Sequence, residues 1–115
     1  MLTLELPMPP SVNHYWHQRG HSRFLSKRAK VFREHVGLLV RVQRRATLTG
    51  PLHLELDIHP PDRRRHDLDN CCKAMLDALQ HAEVYEDDHQ ISRLLIQRCE
   101  CVPGGKAVVR VKEAS

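Results

Sequence analysis

The sequence predicts a small α/β (α+β) domain, a mixed sheet with two helices in the order β-α-β-α-β-β. Three observations lead there. Two segments alternate apolar and polar residues, two others repeat apolar residues at three- and four-residue steps, and proline or glycine punctuates the boundaries between them. At 115 residues the chain has room for one core and none for a separate module, so residues 1–115 are expected to form a single domain.

Leu2, Leu4 and Leu6 alternate with Thr3 and Glu5, the period of a half-buried strand, which Pro7, Pro9 and Pro10 end by removing backbone donors. From Ser11 to Phe24 the residues Tyr15 and Trp16 stand among His14, His17, Arg19, His21 and Arg23, with Gly20 as hinge. That composition reads as an exposed basic loop able to touch a nucleic-acid backbone or base. Ser26 is placed to cap a helix running to about Arg45, with Ala29, Phe32, Val36, Leu39 and Val40 on its core face. Its other face carries Lys27, Arg28, Lys30, Arg33, Arg41, Arg44 and Arg45, which fits a solvated surface as well as a DNA-facing one. After Gly50 and Pro51, the residues Leu52, Leu54, Leu56 and Ile58 alternate with His53, Glu55, Asp57 and His59 in a second strand that stops at Pro60. A second helix is expected to start near Asp67 or Asp69 and to bury Leu68, Cys72, Met75, Leu76 and Leu79. Ile91 to Val102 and Lys106 to Lys112 flank Pro103-Gly104-Gly105 and read as a hairpin.

The formal net charge is +4 with nine histidines uncounted, a field that attracts polyanions without specifying one. The first ten residues lack the basic start and apolar run of a secretory signal, and no apolar stretch reaches the length of about 18 residues that a bilayer span needs. A soluble, cytoplasmic protein with no membrane partner is expected. Cys71-Cys72 and Cys99-x-Cys101 lack the paired spacing of a zinc knuckle, so buried reduced thiols are expected in place of disulfides or zinc.

The chemistry concentrates in Asp62-Arg63-Arg64-Arg65-His66-Asp67-Leu68-Asp69-Asn70. With Leu68 turned to the core, Asp67 and Asp69 flank it at a helix start. By residue type alone such a pair reads first as a cap and first-turn acid, stabilising the helix by about 1 kcal/mol. The other reading is oxygen ligation of a hard cation, with Glu86, Asp87 or Asp88 contributing after the helix. Lys73, one turn beyond Asp69, suits an exposed ion pair with it or a catalytic charge. Arg63, Arg64 and Arg65 have the fork geometry for bidentate phosphate contact, and His66 adds a charge that depends on pH.

Two motifs give these residues a context. Pro9-Pro10-Ser11-Val12-Asn13-His14-Tyr15 is similar to an early PPSxNxxY segment, and Asp67-Leu68-Asp69-Asn70 with Lys73 and Asp77-Ala78-Leu79 is similar to a DxDN...K...DAL core. Through them nearly the whole chain resembles the RusA family of Holliday junction resolvases. The resemblance implies that Asp67, Asp69 and Asp88 bind metal and are catalytic, with Asp87 as alternative to Asp88, and that Lys73 assists cleavage. It implies Mg²⁺ as cofactor with Mn²⁺ as substitute, four-way junction DNA as substrate, a homodimer, and a prokaryotic or phage source. Arg63, Arg64, Arg65, His66, Asn13, Arg19 and Arg23 are the expected DNA-binding residues. The alternatives are a non-catalytic junction- or duplex-binding protein with a degenerate acidic site, and a metal or redox protein built on the cysteines and histidines.

Overall fold

A four-stranded mixed sheet with two helices on one face is the frame of the molecule. The computed structural model describes residues 2–10, 16–19, 22–43, 46–64 and 67–114, with only the backbone of 16–19 and 22–24. Its elements are β1 (Leu2–Leu6), β2 (Trp16–Arg19), β3 (Ser22–Leu25), α1 (Lys27–Gln43), β4 (Leu52–His59), α2 (Leu68–His81), a 3₁₀ turn (Asp88–Gln90), β5 (Ile91–Arg98) and β6 (Lys106–Glu113). The α+β class and the order expected for the larger elements hold.

Ser26 performs its capping role. Its hydroxyl accepts from the Ala29 N–H at 3.1 Å while the residue itself is buried, so one of the orphan donors of the first turn is satisfied. The periodicity of α1 then buries Ala29, Phe32 and Val36, with Leu39 and Val40 partly covered. In α2 the buried stripe is Cys71, Ala74, Met75, Ala78 and Leu79. The expected stripe is therefore rotated: Leu68, Cys72 and Leu76 sit at its margin, because small residues at 71, 74 and 78 let the helix lie close to the sheet and α1.

The sheet order is β1-β6-β4-β5. β6 runs antiparallel to β1 and to β4, whereas β4 and β5 are parallel, so β4-α2-β5 is a crossover unit of the kind parallel neighbours require. This corrects the expected hairpin, since β4 separates β5 from β6. Alternation identified both segments as strands but carries no information on partners. β6 buries Ala107, Val109 and Val111 between two neighbours, a place that a two-stranded hairpin would not supply. The turn after β5 instead carries the chain across the end of β4, with Val102 N–H donating to Pro60 O at 3.0 Å and Gly105 N–H to Val102 O at 2.9 Å. Gly105 has φ +72°, and a Cβ there would meet Pro61 Cδ at 3.1 Å and Met8 Cβ at 3.2 Å, so glycine serves both the backbone and the close approach.

The segment expected to be a loop from Ser11 to Phe24 contains a second correction. β2 and β3 pair antiparallel, Trp16 with Leu25 through Arg19 with Ser22. Aromatic residues at Trp16 and Phe24 favour strands, a signal that the surrounding charges obscured.

Beneath the helices lie Leu2, Leu4 and Leu6, Leu52, Leu54, Leu56 and Ile58, and Ala107, Val109 and Val111, packed with Phe32, Val36, Met75 and Leu79. Each fully buried aliphatic side chain stabilises the fold by about 1.5–3 kcal/mol. The opposite face of the sheet is polar. There Arg110 bonds both oxygens of Asp57 at 2.9 and 3.0 Å, lies 3.6 Å from Glu55, and Gln97 donates to Asp57 at 2.7 Å. Arg110 and then Gln97 hold the Asp57 carboxyl below the usual range, against the opposing effect of its partial burial. No helix among the described residues is long and apolar enough to cross a membrane.

Candidate active site

Asp67 and Asp69 stand at the N-terminus of α2, at the end of the sheet where β4 stops. Asp67 is the N-cap by backbone position, with extended φ and ψ, but its side chain makes no capping hydrogen bond. Leu68 packs partly against the core, and Asp67 and Asp69 on either side of it are exposed. The helix dipole favours negative charge here. Lys73 follows one turn later and is exposed as well.

The preceding loop is held by the β5–β6 connection. Cys99 N–H donates to Ile58 O at 2.8 Å, Cys101 Sγ to Asp62 O at 3.1 Å, and His59 Nδ1 lies 2.9 Å from Glu100 O. Asp62 in turn accepts from the Arg64 N–H at 2.9 Å, an Asx turn that fixes the loop while Arg63 and Arg64 remain exposed. Two expected phosphate-binding side chains thus border the acidic pair. Arg65, His66 and Asn13 lie outside the described residues, as do the side chains of Arg19 and Arg23.

The acidic turn after α2 is at the other end of the sheet. Asp87 caps the 3₁₀ turn by accepting from His89 N–H at 2.9 Å, and Gln90 Oε1 accepts from the Glu86 and Asp87 N–H groups at 2.9 and 3.0 Å. The Gln90 amide also donates to Leu48 O and Gly50 O. Gln80 Oε1 takes the Asp88 N–H at 3.0 Å. Asp87 is therefore engaged in the turn, whereas the Asp88 carboxylate is exposed. The Asp87-x-x-Gln90 spacing is a capping-box signature, and it was the available clue to this division.

Asp77 has a different role from its motif neighbours. Arg33 Nε donates to its Oδ2 at 2.8 Å, joined by Arg33 Nη2, so Arg33 belongs to the α1–α2 contact and not to the open basic face on which the sequence placed it. Burial raises the Asp77 pKa, His81 opposes that, and the charge of Asp88 adds to it. Behind this pair Tyr85 is buried with its hydroxyl donating to Leu76 O at 2.7 Å.

Among the described residues no three His, Cys, Asp or Glu side chains are grouped so as to hold a metal ion. Asp67 and Asp69 lie together, and Asp88 does not join them within one chain. The thiols are distributed differently from expectation. Cys71 is buried, Cys72 and Cys99 are half-buried, and Cys101 is exposed. Burial, with Cys72 and Asp69 adding, pushes the Cys71 thiol pKa up, and burial with Asp69 does so for Cys72, which favours unreactive protonated thiols.

An acidic pair at a helix start, a basic loop beside it and a following lysine fit the class of a phosphodiester-cleaving nuclease, which the comparison with known proteins bears out. The chain belongs to the RusA family: the family model described as Endodeoxyribonuclease RusA matches residues 7–112. It is 37% identical over 109 residues to the crossover junction endodeoxyribonuclease rusA of Enterobacteria phage HK97, covering 94% of this chain and 91% of the relative. It is 33% identical over 113 residues to the crossover junction endodeoxyribonuclease RusA of Escherichia coli strain K12, covering 96% and 93%. The corresponding protein of Enterobacteria phage 82 is also 33% identical, over 112 residues, covering 96% and 92%.

Proposed function

We propose that this chain is a structure-specific endodeoxyribonuclease that resolves Holliday junctions by paired phosphodiester hydrolysis in DNA recombination and repair, acting as a homodimer in the cytoplasm of a bacterial cell. The observation that carries this reading is a family match spanning the chain almost end to end. In hydrolysis, water adds to phosphorus and the bond from phosphorus to one sugar oxygen breaks, leaving a phosphate end and a hydroxyl end.

Arg63 and Arg64 hold strand phosphates through bidentate hydrogen bonds. Lys73, exposed one turn beyond Asp69, offsets the charge that builds on phosphate oxygens in the transition state. Asp67 and Asp69 supply oxygen donors of the kind that suit Mg²⁺, with Mn²⁺ as substitute. One chain alone does not close a donor set for that ion among its described residues. The twofold symmetry of a homodimer matches paired cuts at opposed strands of a four-way junction.

The test uses a labelled synthetic four-way junction with and without Mg²⁺. Wild-type protein is expected to cut it only with the ion, and Asp69→Asn to bind the junction without cutting it. Binding by the wild type without cleavage would favour a non-catalytic junction-binding protein. Full cleavage by Asp69→Asn would refute the role of the acidic pair.

A further inference from the structure

The large hydrophobic side chains exposed among the described residues fall into two groups. Leu94 and Leu95 lie on the β5 edge of the sheet, whereas Val31, Leu38 and Val42 lie on α1, at 55%, 57% and 79% exposure. The three α1 residues stand at i, i+7 and i+11, with exposed His35 at i+4, so they form one stripe along the helix. At the α-helical rise the stripe is about 16 Å long. It is not the side that builds the domain, because Ala29, Phe32 and Val36 bury the other side of α1.

Beside the stripe, α1 and the end of α2 leave a cleft of about 780 Å³, bordered by Glu34, Gly37, Leu38 and Arg41 on one side and by His81 and Glu83 on the other. Gly37 lies within the helix, and a Cβ there would meet nothing within 4 Å. Neither backbone geometry nor packing therefore requires glycine, which destabilises a helix interior relative to alanine. What glycine supplies is room. The notch beside Leu38 lets another backbone or a bulky side chain approach the helix closely.

The charges around the stripe are mostly of one sign. Lys27, Arg28, Lys30 and Arg41 are exposed, and Glu34 is the one acid of α1. The first turn has no acid, although the helix dipole disfavours cations there. Among the described residues none of these four cations has an ion-pair partner. Cations at both ends of an apolar stripe complement an acidic partner that has apolar side chains of its own. A second copy of α1 does not fit, since it would set cations against cations. A DNA strand does not fit either, because its phosphates are held by polar and charged groups and offer nothing to three aliphatic side chains between them.

We infer that the outer side of α1 and the cleft beside Gly37 form a docking site for an acidic peptide segment of another protein. Its aliphatic or aromatic side chains rest on Val31, Leu38 and Val42 and enter the cleft, and its carboxylates meet Lys27, Arg28, Lys30 and Arg41. Glu34 and Glu83 repel carboxylates from the cleft and so reserve it for an apolar side chain. His81 at the cleft is about 18 Å along α2 from Asp69, so a docked peptide leaves the acidic pair open.

The test selects a phage-displayed library of random peptides about 12 residues long, enough to run the stripe as a helix, on the full chain without DNA or metal. Enriched sequences are expected to combine Asp and Glu with Leu, Ile, Phe or Trp. Their labelled synthetic forms should bind in fluorescence anisotropy, more weakly as salt rises. The double variant Val31→Ser, Leu38→Ser, checked for native circular dichroism, should bind about tenfold more weakly or worse, as expected when buried aliphatic contacts are lost. Arg28→Glu should weaken binding as well. Gly37→Ala should weaken binding while raising Tm, a combination that a merely structural role would not produce. All of these variants should nick a four-way junction at the wild-type rate.

No enrichment over the library background, enriched peptides without acidic bias, or equal affinity for the serine variant and the wild type overturns the proposal. A serine variant that sediments differently from the wild type would assign the stripe to a contact between copies, and a lower salt slope of junction binding in Arg28→Glu would assign it to DNA. Either result overturns it too. Peptide binding is read without a junction, so its failure leaves the nuclease reading untouched. A wild-type chain that binds peptide but cuts no junction counts against the nuclease reading alone.

Discussion

Replacing Asp57 by alanine removes the centre of the polar network on the open face of the sheet. The carboxylate receives two bonds from Arg110 and one from Gln97, and the side chains of Asp57 and Arg110 are 16% and 25% exposed. A hydrogen bond to a charged group contributes about 1.5–3 kcal/mol when well buried. Partial solvent access reduces that, and Arg110 keeps Glu55 at 3.6 Å in the variant. A net loss of about 2 kcal/mol is expected, lowering Tm by about 8 °C for a domain of this size. The pH dependence has a definite sign. Because folding lowers the Asp57 pKa, its contribution is complete above the unfolded value of about 3.9 and is lost as pH falls through the folded value. Urea unfolding of wild type and variant should therefore show a constant difference from pH 7 to pH 5 that narrows below pH 4. A difference under about 0.5 kcal/mol at pH 7, within the range of ordinary surface substitutions, or one that widens toward acid, would refute the assignment.

The basic loop gives a second test: changing Arg63 and Arg64 to alanine should reduce the slope of log affinity against log salt for junction binding by about 2, at roughly 0.9 per phosphate contact. An unchanged slope would remove them from the phosphate interface. In the α1–α2 contact, Arg33→Met should destabilise the fold by about 1–3 kcal/mol by removing its two bonds to the Asp77 carboxylate, while the double change with Asp77→Leu should cost less than the two single changes added together. Additive losses in urea titrations would show that the two side chains are not coupled.

Much of the fold was legible because its elements follow local rules. Ser26 capped the helix it was expected to cap, and the alternation of Leu52 to Ile58 divided β4 between core and open face as expected. Partner choice was not legible. β6 inserted between β1 and β4 because its alternating small and β-branched residues fit a central strand, while Pro103-Gly104-Gly105 gave a turn signal that fits a hairpin equally well. The Arg33–Asp77 pair joins residues 44 positions apart, and neither charge carries a local mark of the other. For the site, the motif located Asp67, Asp69 and Lys73 along α2, and the capping spacing of Asp87 and Gln90 explains why Asp87 is held in the turn. The separation of Asp88 from the acidic pair depends on strand direction, which appears only once β4 and β5 are known to be parallel.

Product mapping on a mobile four-way junction with Mg²⁺ tests the nuclease account most directly. End-labelling each strand in turn should reveal cuts at symmetric positions on one opposed pair of strands, releasing two nicked duplexes, and Asp69→Asn should leave all four strands intact. Uncut strands with saturating wild-type protein, or scattered cuts with no twofold relation, would contradict it.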